Sequence, residues 1–188
     1  IFISLKEQKL TMVATDGRRL ALAEEEVDVA EKSQGDCIVP AKAVNELNRL
    51  LLGTGDVEIV ISENQASFDL KQEKGSQIQL ITKLIEGTYP NYRQVIPAEA
   101  KERVAISREE LLHALKRAEI MTSEKQNSVK LAFTKNNLAI TANSPEVGEA
   151  RESLAINYKG KDMAIAFNPT YMIEPLTALA DDEVFIEL

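Results

Sequence analysis

Val13-Ala14-Thr15-Asp16-Gly17-Arg18-Arg19-Leu20-Ala21 closes a run in which Leu10, Met12 and Ala14 fall on one side and Thr11, Val13 and Thr15 on the other. Alternation at period two marks a strand, and Asp-Gly between two such runs is a strong short-range hairpin signal. The stretch reads as a strand, a turn and a return strand to about residue 23. Arg18 and Arg19 then lie on the return strand beside Leu20. A hairpin turn with a solvated basic edge is the plainer alternative. Towards the N-terminus, residues 1–5 are a short apolar run and Lys6-Glu7-Gln8-Lys9 a polar turn. In the other direction, residues 24–35 read as an acidic loop, with Val27 and Val29 as a candidate edge strand. Cys37-Ile38-Val39 is a further short strand before Pro40.

The period changes after Pro40. Val44, Leu47 and Leu51 recur at helical spacing, so a helix is predicted over 41–52, with Pro40 at its start and Gly53 at its stop. Lys42, Asn45 and Arg49 fall on the opposite stripe. Strands follow around Val57/Ile59/Ile61, residues 66–70 and Ile78/Leu80. Residues 87–97 carry two prolines and cannot form one regular element. Residues 97–103 read as a short charged linker. Ser107-Arg108-Glu109-Glu110 fits a capping box opening a second helix. There Leu111, Leu115 and Ala118 form the buried stripe and His113, Lys116 and Arg117 point elsewhere. Further strands are predicted at Val129/Leu131/Phe133, Leu138/Ile140/Ala142, Leu154/Ile156/Tyr158 and Met163/Ile165/Phe167. Asn168-Pro169 caps a third helix with Met172, Ile173, Leu176 and Leu179 as its apolar face. Pro175 lies inside it, where proline costs about 3 kcal/mol and is expected to kink or loosen the helix. Residues 184–188 form a last strand.

The order of elements repeats. Leu138 lies 128 residues after Leu10, Pro169 lies 128 after Ala41, and Val184 lies 127 after Val57. Regular spacing of whole elements is what tandem copies of one domain look like. Residue 1 then aligns with Val129 and residue 188 falls near Ile61, so the chain reads as a window cut from a longer protein. Within one copy the order is helix, strands, helix, strands. That order predicts an α+β class with helices on one face of antiparallel sheets.

Composition sets the outer limits. With 188 residues, 44% hydrophobic and 28% charged, the chain can bury a core, and 5% aromatic residues make that core aliphatic. A formal charge of −8 argues against a protein that coats nucleic acid with its whole surface, though not against a local basic lining. Cys37 stands alone, which excludes an internal disulfide and suits a reducing cytoplasm. No run approaches the roughly 18 apolar residues of a membrane helix. An enzyme finds little support: His113 has no second His or Cys with which to build a metal site, and Cys37 beside Ile38 and Val39 reads as a buried small hydrophobe. Asp181-Asp182-Glu183 reads as a turn, and no glycine-rich phosphate loop opens a helix. No cofactor is called for.

A second stretch, Gly87-Thr88-Tyr89-Pro90-Asn91-Tyr92-Arg93, joins Ala14-Thr15-Asp16-Gly17-Arg18-Arg19-Leu20 in resembling the bacterial replicative sliding clamp, the beta subunit of DNA polymerase III. Asn168-Pro169-Thr170-Tyr171 before an apolar helix adds to the likeness, which spans essentially the whole chain. The resemblance implies the last part of a middle clamp domain at 1–97, a linker at 98–103, and most of a last clamp domain at 104–188, without its final strands and tail. It implies tandem clamp domains in a ring-shaped homodimer around duplex DNA, held without sequence readout. It also implies a non-enzymatic, cytoplasmic processivity factor whose hydrophobic cleft takes short motifs of the polymerase III alpha subunit, the clamp loader and other proteins. By motif match the cleft would be lined by Thr15, Gly17, Arg18, Arg19, Leu20, Pro90 and Val95. Lys42, Asn45, Arg49, Lys116 and Arg117 would face DNA, and Ile120 and Met121 would meet the partner chain. An ordinary solvated helix face and ordinary helix-end core residues are the competing readings of these last two groups. A repeated α+β interaction module with no DNA role is the alternative for the whole.

Overall fold

The computed structural model describes residues 1–28, 34–51, 55–71, 77–98, 100–124 and 126–188, and the chain forms two compact units, Ile1–Ile96 and Pro97–Leu188. In the first unit, β1 (Phe2–Lys6), β2 (Lys9–Thr15), β3 (Leu20–Glu26) and β4 (Gly35–Ile38) precede helix α1 (Ala41–Leu50). The strands β5 (Val57–Ile61), β6 (Gln65–Lys71) and β7 (Gln77–Lys83) and one 3-10 turn at Tyr92–Gln94 follow. The second unit runs β8 (Arg103–Ser107), α2 (Arg108–Glu119), β9 (Val129–Thr134), β10 (Asn137–Ser144), β11 (Gly148–Ala155), β12 (Met163–Phe167), α3 (Pro169–Ala178) and β13 (Glu183–Glu187).

The repeat read from spacing reappears as topology. One four-stranded antiparallel sheet has the order β3-β2-β1-β4 and the other β11-β10-β9-β12. Glu7 and Gln8 both take positive φ, 52° and 58°, so the β1–β2 connection is a tight two-residue turn. The fold is α+β. In the second unit, α2 buries Leu111, Leu112, Ala114, Leu115 and Ala118 against Leu138, Ile140 and Ala142 of β10 and their neighbours. The equivalent β2 stripe in the first unit, Leu10, Met12 and Ala14, is only half-buried. A smaller core there gathers Ile3, Cys37, Val39, Ala66, Phe68 and Leu70, with Val44, Leu47 and Leu50 of α1 packed beside it.

Several expectations change. Glu24, Glu25 and Glu26 are not loop but continue β3, opposite Thr11, Leu10 and Lys9. As an edge strand β3 tolerates such charge, and Lys9 Nζ meets Glu24 Oε2 at 3.1 Å. Val29, Leu52 and Gly53 lie outside the described residues. Arg103, assigned to a linker, is the first residue of β8, whose pairing with β13 is extended by the Lys101 and Glu102 N–H groups donating to Leu188 O. The strand expected at Leu154/Ile156/Tyr158 is β11, which begins at Gly148 and ends at Ala155. Its polar Glu149-Ala150-Arg151-Glu152 segment hid it from a hydrophobic count, while pairing with β10 defines it. Helix α3 is continuous through Pro175, which stands in its last turn and forgoes one i to i−4 N–H bond there without ending the helix.

The two helices of the second unit are tied at both ends. Ser107 Oγ accepts from Glu110 N at 3.4 Å and caps α2. Arg108 next to it donates to Leu176 O (3.1 Å), a carbonyl in the last turn of α3, and to Asp181 O (2.7 Å) in the segment that follows it. At the other end Thr170 Oγ1 donates to Glu119 Oε1 at 3.0 Å.

Candidate functional site

The arginines expected on the return strand sit in the turn itself. Thr15 closes β2 opposite Leu20, the first residue of β3, leaving residues 16–19 as the loop. Asp16 organises it: Oδ1 accepts from Arg18 N and Arg19 N, both at 3.0 Å, and Oδ2 from Arg19 Nε at 3.0 Å. Thr15 Oγ1 donates to Arg19 O at 2.8 Å and accepts from Gly17 N at 3.1 Å. These bonds compete with a two-residue hairpin turn and win, because one carboxylate satisfies two backbone donors at once. The same donors, Arg18 N–H and Arg19 N–H first and the Arg19 side chain after them, hold the Asp16 carboxyl below its usual range. Gly17 has φ +82° and nothing within 4 Å of where a Cβ would stand, so its backbone is open to close approach. The exposed turn is shaped before any ligand arrives, with half-buried Leu20 at its base.

The structure brings the second motif onto the same strand. Tyr89 Oη donates to Val13 O at 3.3 Å, two residues before Thr15, and the Tyr89 ring stacks on Phe2 with centroids 5.1 Å apart. Pro90 is exposed, and Val95, at 70% exposure, is an apolar side chain left in solvent.

Lys42, Asn45 and Arg49 share one exposed stripe of α1, opposite its packed face, and Arg49 Nη1 lies 3.4 Å from Glu46 Oε2. Lys116 is exposed on α2. Arg117 is not a simple surface cation: its Nε and Nη2 donate to the two oxygens of Glu152 on β11, at 2.9 and 2.6 Å. Arg117's hydrogen bonds lower the Glu152 carboxyl's pKa, and Glu152 raises that of Arg117. Ile120 is 67% exposed just past α2, so it is no core residue, whereas Met121 is half-buried at the edge of the core. Helix α3 carries no basic residue in its last turn. Sequence reasoning missed Asp16 as organiser of the turn and Glu152 as partner of Arg117. An aspartate followed at once by Gly is a signal that could have found the first. Nothing local announces the second.

Cys37 is buried, and that burial, with Asp36 adding to it, pushes its thiol up, away from nucleophilic character. Among the described residues no group of three His, Cys, Asp or Glu could hold a metal ion, and no helix is long and apolar enough to cross a membrane.

Two family models match in succession: the central domain of the DNA polymerase III beta subunit over residues 1–91, and its C-terminal domain over residues 93–188. The chain is similar to the beta sliding clamp of Chlamydia trachomatis serovar D, with 35% identity over 98% of this chain and 43% of that protein. It is similar to that of Bacillus subtilis at 30% identity, over 96% of this chain and 47% of the other. Among solved structures, the DNA polymerase III subunit beta of Pseudomonas aeruginosa matches with TM-score 0.90 and 30% identity, over 100% of this chain and 50% of that one. A sliding clamp of Bartonella birtlesii bound to griselimycin matches with TM-score 0.89 and 32% identity, over 100% and 50%. The chain spans about half the length of the curated relatives it matches.

Proposed function

Because this chain belongs to the DNA polymerase III beta-subunit family, the beta sliding clamps, we propose that it serves in a processivity factor that encircles duplex DNA as a ring-shaped dimer. Its task is to tether the replicative polymerase and other partners, not to catalyse. The observation that carries the reading is the pair of consecutive family matches, one for each compact unit. Residues 1–97 act as part of a middle clamp domain and 104–188 as most of a last one, in the cytoplasm.

Partner docking is assigned to the pre-shaped turn. Gly17 admits a peptide backbone, Leu20, Pro90 and Val95 give apolar walls, Thr15 holds the turn's geometry, and Arg18 and Arg19 fix polar groups at the rim. The occupants are short motifs of the polymerase III alpha subunit, the clamp loader and related proteins. DNA is held by phosphate attraction without base readout, through Lys42, Asn45 and Arg49 of α1 and Lys116 and Arg117 of α2. The exposure of Ile120 supports an interface role for Ile120 and Met121 in the dimer.

The test is a titration of a labelled Gln-Leu-x-Leu-Phe peptide into the full-length protein. Saturable binding is expected, weakened roughly tenfold or more by Leu20→Ala, the loss of about 1.5 kcal/mol or more of leucine burial. A folded protein that binds no such peptide would leave the interaction module without a DNA role as the better reading, and loss of DNA retention on neutralising Lys42, Arg49 and Lys116 separates the two further.

A further inference from the structure

Asp16-Gly17 puts a reactive pair into the middle of the turn. In an Asp-Gly dipeptide no Cβ keeps the following amide nitrogen away from the aspartyl Cγ, so the backbone can react with its own side chain. The Gly17 nitrogen forms a bond to Asp16 Cγ, the Cγ–OH bond breaks, and the hydroxyl leaves with the amide hydrogen as one water. A five-membered succinimide results. Water then opens it at either carbonyl. One opening restores aspartate, and the other leaves isoaspartate, whose main chain runs through the side-chain methylene. Nothing is oxidised or reduced, and water, released and then taken up, is the only other reactant.

The surroundings do not hinder the ring. Asp16 and Gly17 are both exposed, and a Cβ built on Gly17 meets nothing within 4 Å. What opposes the reaction is the hydrogen bonding of the two reacting groups. The one N–H of Gly17 donates to Thr15 Oγ1 at 3.1 Å, so the nucleophile is engaged by the residue before the aspartate. The carboxyl is held forward, away from its neighbour: Oδ1 accepts from the N–H groups of Arg18 and Arg19, and Oδ2 from Arg19 Nε. Thr15 also donates to Arg19 O at 2.8 Å, so one hydroxyl ties both ends of the turn. The donors to Asp16 keep its carboxyl ionised to a lower pH than usual, and an ionised carboxyl has no hydroxyl to release.

We propose that Asp16-Gly17 is a site of spontaneous isoaspartate formation that the folded turn holds shut, with Thr15 as the positioning residue that keeps the Gly17 nitrogen from Asp16. Losing the Thr15 hydroxyl releases the reaction. The consequence for partners rests on the docking role assigned to the turn. A methylene added to the main chain between residues 16 and 17 takes Arg18 and Arg19 out of register with the carboxyl, and the docking shape is lost.

The experiment ages the full-length protein, its Thr15→Val and Thr15→Ser variants, and a synthetic peptide of residues 14–20 side by side at neutral pH, and counts isoaspartate at residue 16 by peptide mapping. The native protein is expected to isomerise about tenfold or more slowly than the peptide, the reach of the hydrogen bonds that must open. Thr15→Val is expected to isomerise about three- to tenfold faster than the native protein at an unchanged urea midpoint. Thr15→Ser keeps the hydroxyl and stays near the native rate. A native protein as fast as the peptide, a Thr15→Val protein no faster than the native one, or a Thr15→Ser protein as fast as Thr15→Val overturns the proposal and leaves the docking turn intact. Isomerised protein, separated by ion exchange, is expected to have lost the Gln-Leu-x-Leu-Phe peptide. If it binds as tightly as the unmodified protein, the docking role of the turn is overturned while the protection of Asp16 stands.

Discussion

Replacing Gly160 with alanine tests how the second unit is packed. A Cβ at that position would stand 2.6 Å from Tyr158 Oη, 2.7 Å from Cζ and 2.9 Å from Cε2, where ordinary contact needs 3.4–4 Å. The tyrosine cannot simply retreat. It is 2% exposed, its hydroxyl donates to Lys161 O at 2.6 Å, and its ring packs on Phe133 with centroids 5.8 Å apart. Moving it loses a hydrogen bond worth about 1 kcal/mol and overpacks the core at a further 1–3 kcal/mol or so. Against this, alanine stiffens the unfolded chain and returns roughly 0.4–1 kcal/mol. The net expectation is a destabilisation of about 2 kcal/mol, read from equilibrium urea unfolding at constant m-value. The cause is checked in a Tyr158→Leu background, because leucine ends before the atoms that clash. There Gly160→Ala should be nearly neutral, giving a coupling energy of about 2 kcal/mol. Equal costs in both backgrounds, or a loss below roughly 0.5 kcal/mol in the native one, would refute the steric argument.

The docking turn has its own pH signature. A carboxyl whose folded pKa is lowered gives its full contribution above the unfolded value and loses it as pH falls through the folded one. Peptide affinity is therefore expected to be flat at neutral pH and to fall only below the ordinary value of 3.8, so far as Asp16 governs it. Asp16→Ala weakens binding at neutral pH and the difference from the native protein closes as pH falls through the carboxyl's folded pKa; an affinity unchanged by that substitution at neutral pH removes Asp16 from the site. Glu152→Gln frees Arg117 for phosphate, so DNA affinity should rise and the slope of log K against log salt should steepen by up to about 0.9; an unchanged slope means that Arg117 does not face DNA. Ser107→Ala removes the cap of α2 and should cost about 0.5–1 kcal/mol, the lower half of the usual range because the bond is long at 3.4 Å, with thermal unfolding as the readout.

Much of the secondary structure is legible along the chain because its causes are local. Ser107 and Asn168 cap helices through their own side chains, and both are readable from two or three neighbouring residues. The alternation of Leu10, Met12 and Ala14 predicts β2 for the same reason. The misses have one origin. Strand β11 is polar along Glu149–Glu152, so only its pairing with β10 reveals it. The return strand begins at Leu20 and not at Arg18 because the Asp16 carboxylate captures two backbone donors, a competition that a hydrophobic pattern does not record. Of the candidate site residues, the turn and the stripe of α1 follow from spacing, but the state of Arg117 depends on Glu152, 35 residues away.

The β1–β2 and β2–β3 hairpins, the capped helices, the internal repeat and the family are readable along the chain. Each of these is written in patterns shorter than one element or in the fixed distance between like elements. Which charges are engaged and which surfaces are shaped depends on the folded chain. It alone ties Arg108 to Leu176 O, Tyr89 to Val13 O and Arg117 to Glu152, across 68, 76 and 35 residues. It alone gathers Phe2, Asp36 and Tyr92 around one cavity. The physical reason is that a hydrogen bond or a ring contact is set by position in space, and periodicity fixes only which face a side chain takes, not what meets it there.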